Sequence, residues 1–308
     1  MPKKHYYTSS KEIIMDIRVL RYFLTVAKEQ NITNAAESLH ITQPTLSRQM
    51  MDLEEELGKK LFVRGKRKLQ LTEEGTILRR RAEEILALSE KTKIEISSVA
   101  DNIGGDIYIG SAETKGISPV AEVIRELRRQ FPEIYFHFIS GNPEEVKEKL
   151  DGGLLDFAIV IEPADISKYD FIKLPNIDTW GVLMRKDSPL AEKKSIKAAD
   201  LENLPLIASD QVMVENALAG WMGRRPLPLN IVATYNLLFN ASILVKEKVG
   251  YALCIDNIIN TGDGTDFEFR PFEPPLKVGL HLVWKKHQTL NKAAQKFLQQ
   301  IYNSLSDH

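Results

Sequence analysis

The chain has 308 residues, and its 41 basic residues nearly balance 42 acidic ones, which leaves a formal net charge of −1. This length exceeds one ordinary hydrophobic core and predicts two or three domains. The near-neutral balance excludes a global positive field, so any surface for a polyanionic partner must be local. A single cysteine, Cys254, excludes an internal disulfide framework, and no apolar run approaches the roughly 18 residues of a membrane span. We therefore expect a cytoplasmic protein without a membrane partner.

Residues 1–14 contain no apolar segment of the signal-peptide type. We interpret them as a disordered tail, or as the product of a start codon upstream of a true start at Met15.

Three short helical patterns follow Met15. The first has one apolar side, formed by Ile17, Leu20, Phe23, Leu24 and Ala27. Asn31 to Thr33 offer capping oxygens for the second, where the small side chains of Ala35 and Ala36 permit close helix packing, with Leu39 also facing inward. Two helices joined by a short link to a third predict a helix-turn-helix unit.

The third helix carries short polar and basic residues opposite its apolar stripe. Thr42 can cap this helix and Pro44 is tolerated in its first turn. The stripe consists of Leu46, Met50, Leu53 and Leu57. Helical geometry turns Pro44, Ser47, Arg48, Met51 and Asp52 outward and leaves Gln43 at the tip.

In a DNA major groove, Gln43 can pair with an adenine edge, Ser47 with several bases, and Arg48 with guanine or phosphate. The alternative is a plain amphipathic helix with a solvated polar face.

A basic stretch follows this helix. Its cations between Gly58 and Leu71 are Lys59, Lys60, Arg64, Lys66, Arg67 and Lys68, with no acid among them. The strand-like segments "KLFVR" and "KLQLT" flank "GKR" and predict a small hairpin, or wing, whose tip can contact phosphates or a minor groove. A basic run alone is usually a solvated face, but its position after a helix-turn-helix favours a DNA contact.

From Met15 to Gly75 the chain resembles the LysR-type transcriptional regulators. The resemblance is carried by Ala35-Ala36, "TQPTLSRQ", "LEEELG", "LF.R" and "LTEEG" in this order. It implies a winged helix-turn-helix at 15–75 that binds double-stranded operator DNA. The residues that it implies to be DNA-binding are Gln43, Pro44, Thr45, Ser47, Arg48, Arg64, Lys66 and Arg67.

The segment from Thr76 to Ala100 lacks proline and glycine and predicts one long helix. Its 3–4 spacing is typical of a coiled-coil seam, formed by Leu78, Ala82, Ile85, Thr92, Ile96 and Val99. The alternative is a helix that lies on its own domain. The family uses this segment for dimerisation, so we predict a linker helix at 76–101 in a homodimer or homotetramer, and a glycine hinge at 102–105.

After the hinge, strand and helix patterns alternate, which predicts α/β units with largely parallel pairing. The family resemblance continues here to about Leu305 and implies two α/β subdomains, similar to periplasmic binding proteins, within 106–308. We place subdomain I at about 106–177 and 278–308, and subdomain II at about 178–277. The predicted fold class is therefore a multidomain α+β chain with a winged helix-turn-helix, a linker helix and a pair of α/β subdomains.

Ligands of open α/β sheets bind at the carboxyl ends of strands, near helix amino-termini that favour anions. The residues at these positions, which line the effector cleft in the family, are Ser111, Glu113, Thr114, Ser140, Gly141, Asn142, Glu162, Ser209, Asp210, Tyr235 and Asn236. The hydroxyl groups suit a carboxylate-bearing small-molecule effector, whereas Glu113, Glu162 and Asp210 suit an amine or a cation. Each residue alone can also be a cap or a solvated loop residue.

Catalytic motifs are missing from the sequence: no HExxH, P-loop or G-x-G-x-x-G occurs. Cys254 and His281 are read most simply as residues of buried strands. We expect no enzyme, metal or cofactor. A solute-binding receptor would explain the sensor half but not the basic wing, and it would require a secretion signal.

Overall fold

The computed structural model describes residues 15–65, 68–97, 103–209, 216–222 and 229–306. Residues 1–14 and part of the predicted hinge lie outside these ranges. The chain divides into two compact units, Met1–Ile94 and Glu95–His308. None of the helices in the described ranges has the length and apolar character that crossing a membrane would require.

Three helices and a hairpin form the first unit. The helices are α1 Ile17–Glu29, α2 Ile32–Ser38 and α3 Gln43–Leu57, and the hairpin consists of β1 Phe62–Arg64 and β2 Leu69–Leu71. The side chain of Asp16 caps α1 and that of Asn31 caps α2, while Gly58 ends α3 at a φ of 64°, a left-handed conformation in which glycine has no steric penalty. The core is built from Leu20, Phe23, Val26, Ala35, Ala36, Leu46, Met50, Leu53, Leu61 and Ala82.

One inward prediction for α1 is wrong. Ile17 is 45% exposed, whereas Val26 is fully buried. Ile17 is the first residue of the helix, one turn ahead of the buried Leu20, so the stripe of contacts begins after it.

Helix α4, Glu73–Ser97, starts three residues before the predicted segment because the Thr72 hydroxyl accepts a hydrogen bond from Gly75 N–H at 2.9 Å. The predicted seam is wrong for its first half. Ala82 is buried, and Leu78 and Ile85 pack against the core of their own unit. Among the described side chains of α4, the large apolar residues that are exposed are Ile77 and Leu88, which the prediction did not include, and Ile96, which it did.

The second unit is built around a mixed sheet. Its strands are β3 Gly105–Ser111, β4 Ile134–Ser140, β5 Phe157–Ile161, β6 Tyr169–Arg185, β7 Pro205–Ser209, β8 Asn230–Tyr235, β9 Tyr251–Ile255, β10 Phe267–Pro271 and β11 Lys277–Lys285. Its α-helices are α5 Ser118–Gln130, α6 Pro143–Asp151, α7 Asn216–Met222, α8 Leu238–Lys246 and α9 Lys292–Ser306. The order β4-β3-β5-β11-β6-β9-β7-β8 forms one path, and β10 pairs with β6.

This sheet belongs to two lobes that share β6. In lobe I, β3 runs parallel to β4 and β5, and β11 lies antiparallel between β5 and the first half of β6. In lobe II, β7 runs parallel to β8 and β9, and the second half of β6 pairs antiparallel with β9 and β10. The pairing is therefore mixed rather than largely parallel, because β6 and β11 carry the chain between the lobes.

Each lobe has its own hydrophobic core. In lobe I, Phe157 and Phe297 are fully buried between the sheet and α9. In lobe II, Leu253 and Phe272 are buried on one face of the sheet and Ala241 on the other. The two lobes thus place the carboxyl ends of β3, β5, β7, β8 and β9 close to the point where β6 changes from one sheet half to the other.

Candidate nucleic-acid interface and effector cleft

Helix α3 presents the predicted DNA-contacting residues to solvent. Leu46, Met50 and Leu53 are buried, which fixes the rotation of the helix. Gln43, Pro44, Thr45 and Arg48 are exposed and Ser47 is half-buried. Thr42 is the N-cap residue, and its hydroxyl is hydrogen-bonded at 2.8 Å to that of Thr45 rather than to a backbone N–H.

The Arg48 guanidinium is accessible. Its side chain is 83% exposed, and its ion pair with Asp52 has an Nε–Oδ2 distance of 3.9 Å. Such exposed pairs contribute little, so a phosphate or a guanine can compete for this cation. Met51, on the same face, is 63% exposed and supplies an apolar group of the kind that contacts thymine methyls.

The wing is a two-stranded antiparallel hairpin, with Val63 opposite Gln70 and Arg64 opposite Leu69. Gly65 N–H donates to Lys68 O at 2.9 Å across the turn. Lys66 and Arg67 lie outside the described residues, as does the side chain of Arg64, so their DNA contacts stay predictions.

Glu54 connects α3 to the wing. Its Oε1 accepts hydrogen bonds from Leu61 N–H at 2.8 Å and Phe62 N–H at 3.3 Å, and its Oε2 accepts one from Lys60 Nζ at 2.6 Å. Burial opposes ionisation, but the bonds from Lys60 and from the two backbone groups hold the pKa of Glu54 below its usual value. The carboxylate therefore sets the position at which the hairpin leaves the recognition helix.

In the second unit, a small cleft of about 60 Å³ lies between the lobes. Its lining consists of Ala112, Glu113, Ile161, Trp180, Ser209, Tyr235, Asn236, Leu238, Ile255 and Ile258. Four of the predicted effector residues belong to this lining: Glu113, Ser209, Tyr235 and Asn236. Asp210, which follows Ser209, lies outside the described residues.

Glu113 spans the cleft. It belongs to lobe I, yet its Oε2 accepts a hydrogen bond from Leu238 N–H, the first residue of α8 in lobe II, at 2.6 Å. The N-cap residue of α8, Leu237, supplies no side-chain cap. The carboxylate thus occupies the position where the amino-terminal end of a helix attracts an anion.

Ser111 and Thr114 lie behind the lining. Both are buried, and Ser111 Oγ donates to Ala112 O at 2.7 Å. The Thr114 hydroxyl donates to Asp178 Oδ2 and accepts from Gly116 N–H. Burial raises the pKa of Asp178, and the charge on Asp256 adds to the increase despite the bond from Thr114. The Thr114 hydroxyl thus connects the segment after β3 to β6, the strand that both lobes share, whereas the Ser111 bond is local.

The structure does not bring Ser140, Gly141, Asn142 or Glu162 into the lining. Asn142 caps α6 by accepting from Glu145 N–H at 2.8 Å, and Gly141 N–H donates to Ser111 O at 3.3 Å. Glu162 Oε2 accepts from Gly279 N–H at 3.0 Å, while its Oε1 lies 3.5 Å from His281 Nε2. These contacts are structural, and an effector contact at these four residues stays a prediction.

Sequence reasoning missed the apolar part of the lining: Ile161, Trp180, Leu238, Ile255 and Ile258. Ile161 and Ile255 are the last residues of β5 and β9, so they share the strand-end position that identified the polar candidates. Searching strand ends for apolar as well as polar residues would have found both.

Cys254 and His281 are buried strand residues. Burial raises the pKa of the Cys254 thiol to about 12, which keeps it protonated and unreactive. Burial also lowers the pKa of His281, despite the neighbouring Glu162. In the described parts of the chain, no group of three or more His, Cys, Asp or Glu residues is arranged to hold a metal ion.

An exposed helix-turn-helix with a wing, followed by a two-lobed cleft domain, defines a DNA-binding protein with a separate ligand-binding module. Two family models match these parts: "Bacterial regulatory helix-turn-helix protein, lysR family" over residues 17–76, and "LysR substrate binding domain" over residues 100–306. The chain belongs to the LysR family of transcriptional regulators. It is a DNA-binding regulator that responds to a small-molecule effector, and not an enzyme.

Relatives and solved structures agree with this placement. The chain is 36% identical to the HTH-type transcriptional regulator BsdA of Bacillus subtilis (strain 168), over 92% of this chain and 99% of the relative. It is 28% identical to the Hca operon transcriptional activator HcaR of Escherichia coli (strain K12), over 95% of this chain and 99% of the relative. The crystal structure of CbnR, a LysR family transcriptional regulator, shares the fold with a TM-score of 0.71 at 20% identity, covering 94% of this chain and 99% of CbnR.

Proposed function

We propose that this regulator binds double-stranded operator DNA through α3 and the wing, as a homodimer or homotetramer. In this proposal, a small-molecule effector bound between the two lobes controls that binding. The observation that carries the DNA contact is the exposed polar face of α3, with the Arg48 side chain 83% exposed. A structure of CbnR, which shares this fold, was solved with its target DNA. Because operator DNA lies in the bacterial cytoplasm, we expect the protein to act there.

The test of the DNA contact is substitution of Arg48. Each good bidentate arginine–guanine contact discriminates by about 1–3 kcal/mol, so we expect Arg48→Ala to weaken binding to a footprinted operator by about tenfold or more. Random-sequence DNA should lose much less affinity. Arg129→Ala is the matched control, because it removes an exposed arginine that pairs with Glu126 in the effector-binding unit.

Fluorescence anisotropy with labelled operator and labelled random duplex measures both affinities. If Arg48→Ala and Arg129→Ala bind the operator as tightly as the native chain, α3 does not read the DNA through this residue.

Oligomerisation is supported by the outer face of α4. Ile77 and Leu88 are 54% and 40% exposed, and their spacing of eleven residues corresponds to about three helical turns, which puts them on one side of the helix. An exposed apolar row on a long helix is typical of a helix–helix interface. Sedimentation velocity tests this: Leu88→Glu should reduce the oligomer to a smaller species, and an unchanged sedimentation coefficient would remove the support that α4 gives.

Effector binding in the cleft is supported by its position, since ligands of open α/β sheets bind where strand ends from two halves meet. A ligand that contacts both lobes can change the angle between them only if its affinity differs between the two arrangements. The Glu113–Leu238 hydrogen bond crosses the cleft, so a ligand that separates the lobes at this point has to break it.

A further inference from the structure

We propose that the effector of this regulator carries a cationic, hydrogen-bond-donating group, such as a primary ammonium, on a small apolar body. This inference rests on the proposed function, because it names the chemical class of ligand for the same cleft. It decides between the carboxylate and the amine or cation that the sequence left open.

The position that an effector carboxylate would occupy is already filled. The amino-terminal end of α8 faces the cleft and would be the natural site for an anionic ligand. The carboxylate of Glu113, from lobe I, occupies this position and accepts a hydrogen bond from Leu238 N–H at 2.6 Å. A ligand carboxylate would have to displace Glu113 or lie beside its negative charge.

The described lining of the cleft carries one charged side chain, and that side chain is acidic. Glu113 is its single charged residue, and no lysine, arginine or histidine accompanies it there. The second carboxylate oxygen, Oε1, extends the acceptor capacity of Glu113 beyond its bond to Leu238, since an ionised carboxylate offers about four lone-pair sites. An ammonium group is the natural donor for such an acceptor.

The apolar part of the lining determines what kind of body the ligand carries beside its charged group. Ile161, Ile255, Ile258 and Leu238 are aliphatic, and Trp180 adds an aromatic surface that can also attract a cation. The cavity volume of about 60 Å³ favours a small apolar body unless the lobes open. A short branched or cyclic amine has this combination of size and charge.

Isothermal titration calorimetry with the full-length protein tests the proposal. The probes are matched pairs that differ in the charged end: isopentylamine against 4-methylpentanoate, and cyclohexylmethylamine against cyclohexylacetate. We expect the amine of at least one pair to bind about tenfold or more tightly than its carboxylate. Glu113→Gln should lower the amine affinity by about tenfold, since ion-paired hydrogen bonds are roughly twice as strong as neutral ones. The glutamine retains a carbonyl oxygen for Leu238 N–H, so the contact between the lobes is preserved.

Three results would overturn the proposal. The first is a carboxylate that binds more tightly than its matched amine and whose binding is abolished by Trp180→Ala. This result would show that the charge assignment is wrong while the cleft is still the effector site. The second is the absence of heat with both amines. The third is amine binding that survives both Glu113→Gln and Trp180→Ala; it would place the ligand elsewhere and count against the proposed function of the cleft as well.

Discussion

Replacing Glu54 should loosen the wing from the recognition helix. Leu61 is 1% exposed, and its N–H has the Glu54 carboxylate as its hydrogen-bond partner. A hydrogen bond to a charged group contributes about 1.5–3 kcal/mol, and a buried donor left without a partner costs about 1–3 kcal/mol. The exposed Lys60 adds less than about 1 kcal/mol. We therefore expect Glu54→Ala to destabilise the first unit by about 2–4 kcal/mol, and Glu54→Gln by about half of that, because the amide oxygen can still accept from Leu61.

The charge of Glu54 makes this effect depend on pH. Its pKa is lower in the folded protein than the ordinary value of 4.5, so the folded state binds the proton less strongly than the unfolded state. The stabilisation is present above the ordinary pKa and is lost as the pH falls through the folded pKa. The difference between the native chain and Glu54→Gln should therefore be largest at neutral pH and shrink on acidification.

Native-state hydrogen exchange of the full-length protein, read by mass spectrometry on peptides that cover residues 59–72, measures this opening free energy. Glu37→Gln makes the same charge change on an exposed part of α2 and is the control. A Glu54→Gln protein whose wing peptides exchange like those of the control at pH 7, or whose deficit is constant down to pH 3, would refute the role of this carboxylate.

Two further predictions concern the effector-binding unit. Because burial raises the Cys254 pKa to about 12, the thiol should not react with Ellman's reagent at pH 8 in the folded protein and should react with one equivalent after denaturation in urea; rapid reaction of the native protein would contradict the buried position. Asp178→Asn should be at least as stable as the native chain at pH 7, because the amide oxygen can still accept from Thr114 while the cost of a buried charge is removed. Because the pKa of Asp178 is raised in the folded protein, ionisation of Asp178 destabilises the native chain as the pH rises through that pKa. The melting temperature of Asp178→Asn minus that of the native chain should therefore be larger at pH 7 than at pH 4. A smaller difference at pH 7 would contradict this expectation.

The sequence predicted the helix-turn-helix well because its signals are local. Asn31 caps α2 as predicted, and the stripe of Leu46, Met50 and Leu53 fixes which side of α3 is exposed. The alternation of strands and helices in the effector-binding unit was also predicted, because short apolar runs and amphipathic stretches follow one another along the chain. The LysR family and the regulatory function followed from the same motifs.

Features that depend on distant contacts were missed or wrong. The apolar rows of α4 have similar helical spacing, so periodicity could not decide that Leu78 and Ile85 face their own core while Ile77 and Leu88 are exposed. The alternation of strands and helices was predicted, but the 17-residue length of β6 was not. Without that strand, the sequence could not place Trp180 in the cleft, nor show that Glu113 reaches α8 across 125 positions of the chain.

The path of β6 restricts where this chain can be joined to a relative in a chimeric protein. Trp180 N–H donates to Leu276 O at 2.9 Å, and Phe272 N–H donates to Trp180 O at 3.0 Å, so the outgoing and returning crossings are paired with each other. Side chains along a strand alternate between two faces, and adding or removing one residue next to Trp180 would turn every later side chain of β6 to the opposite face. A chimera that exchanges lobe II for that of a relative must therefore be joined at residues that pair with each other on the two crossings. Any change in the length of β6 next to Trp180 must be an even number of residues.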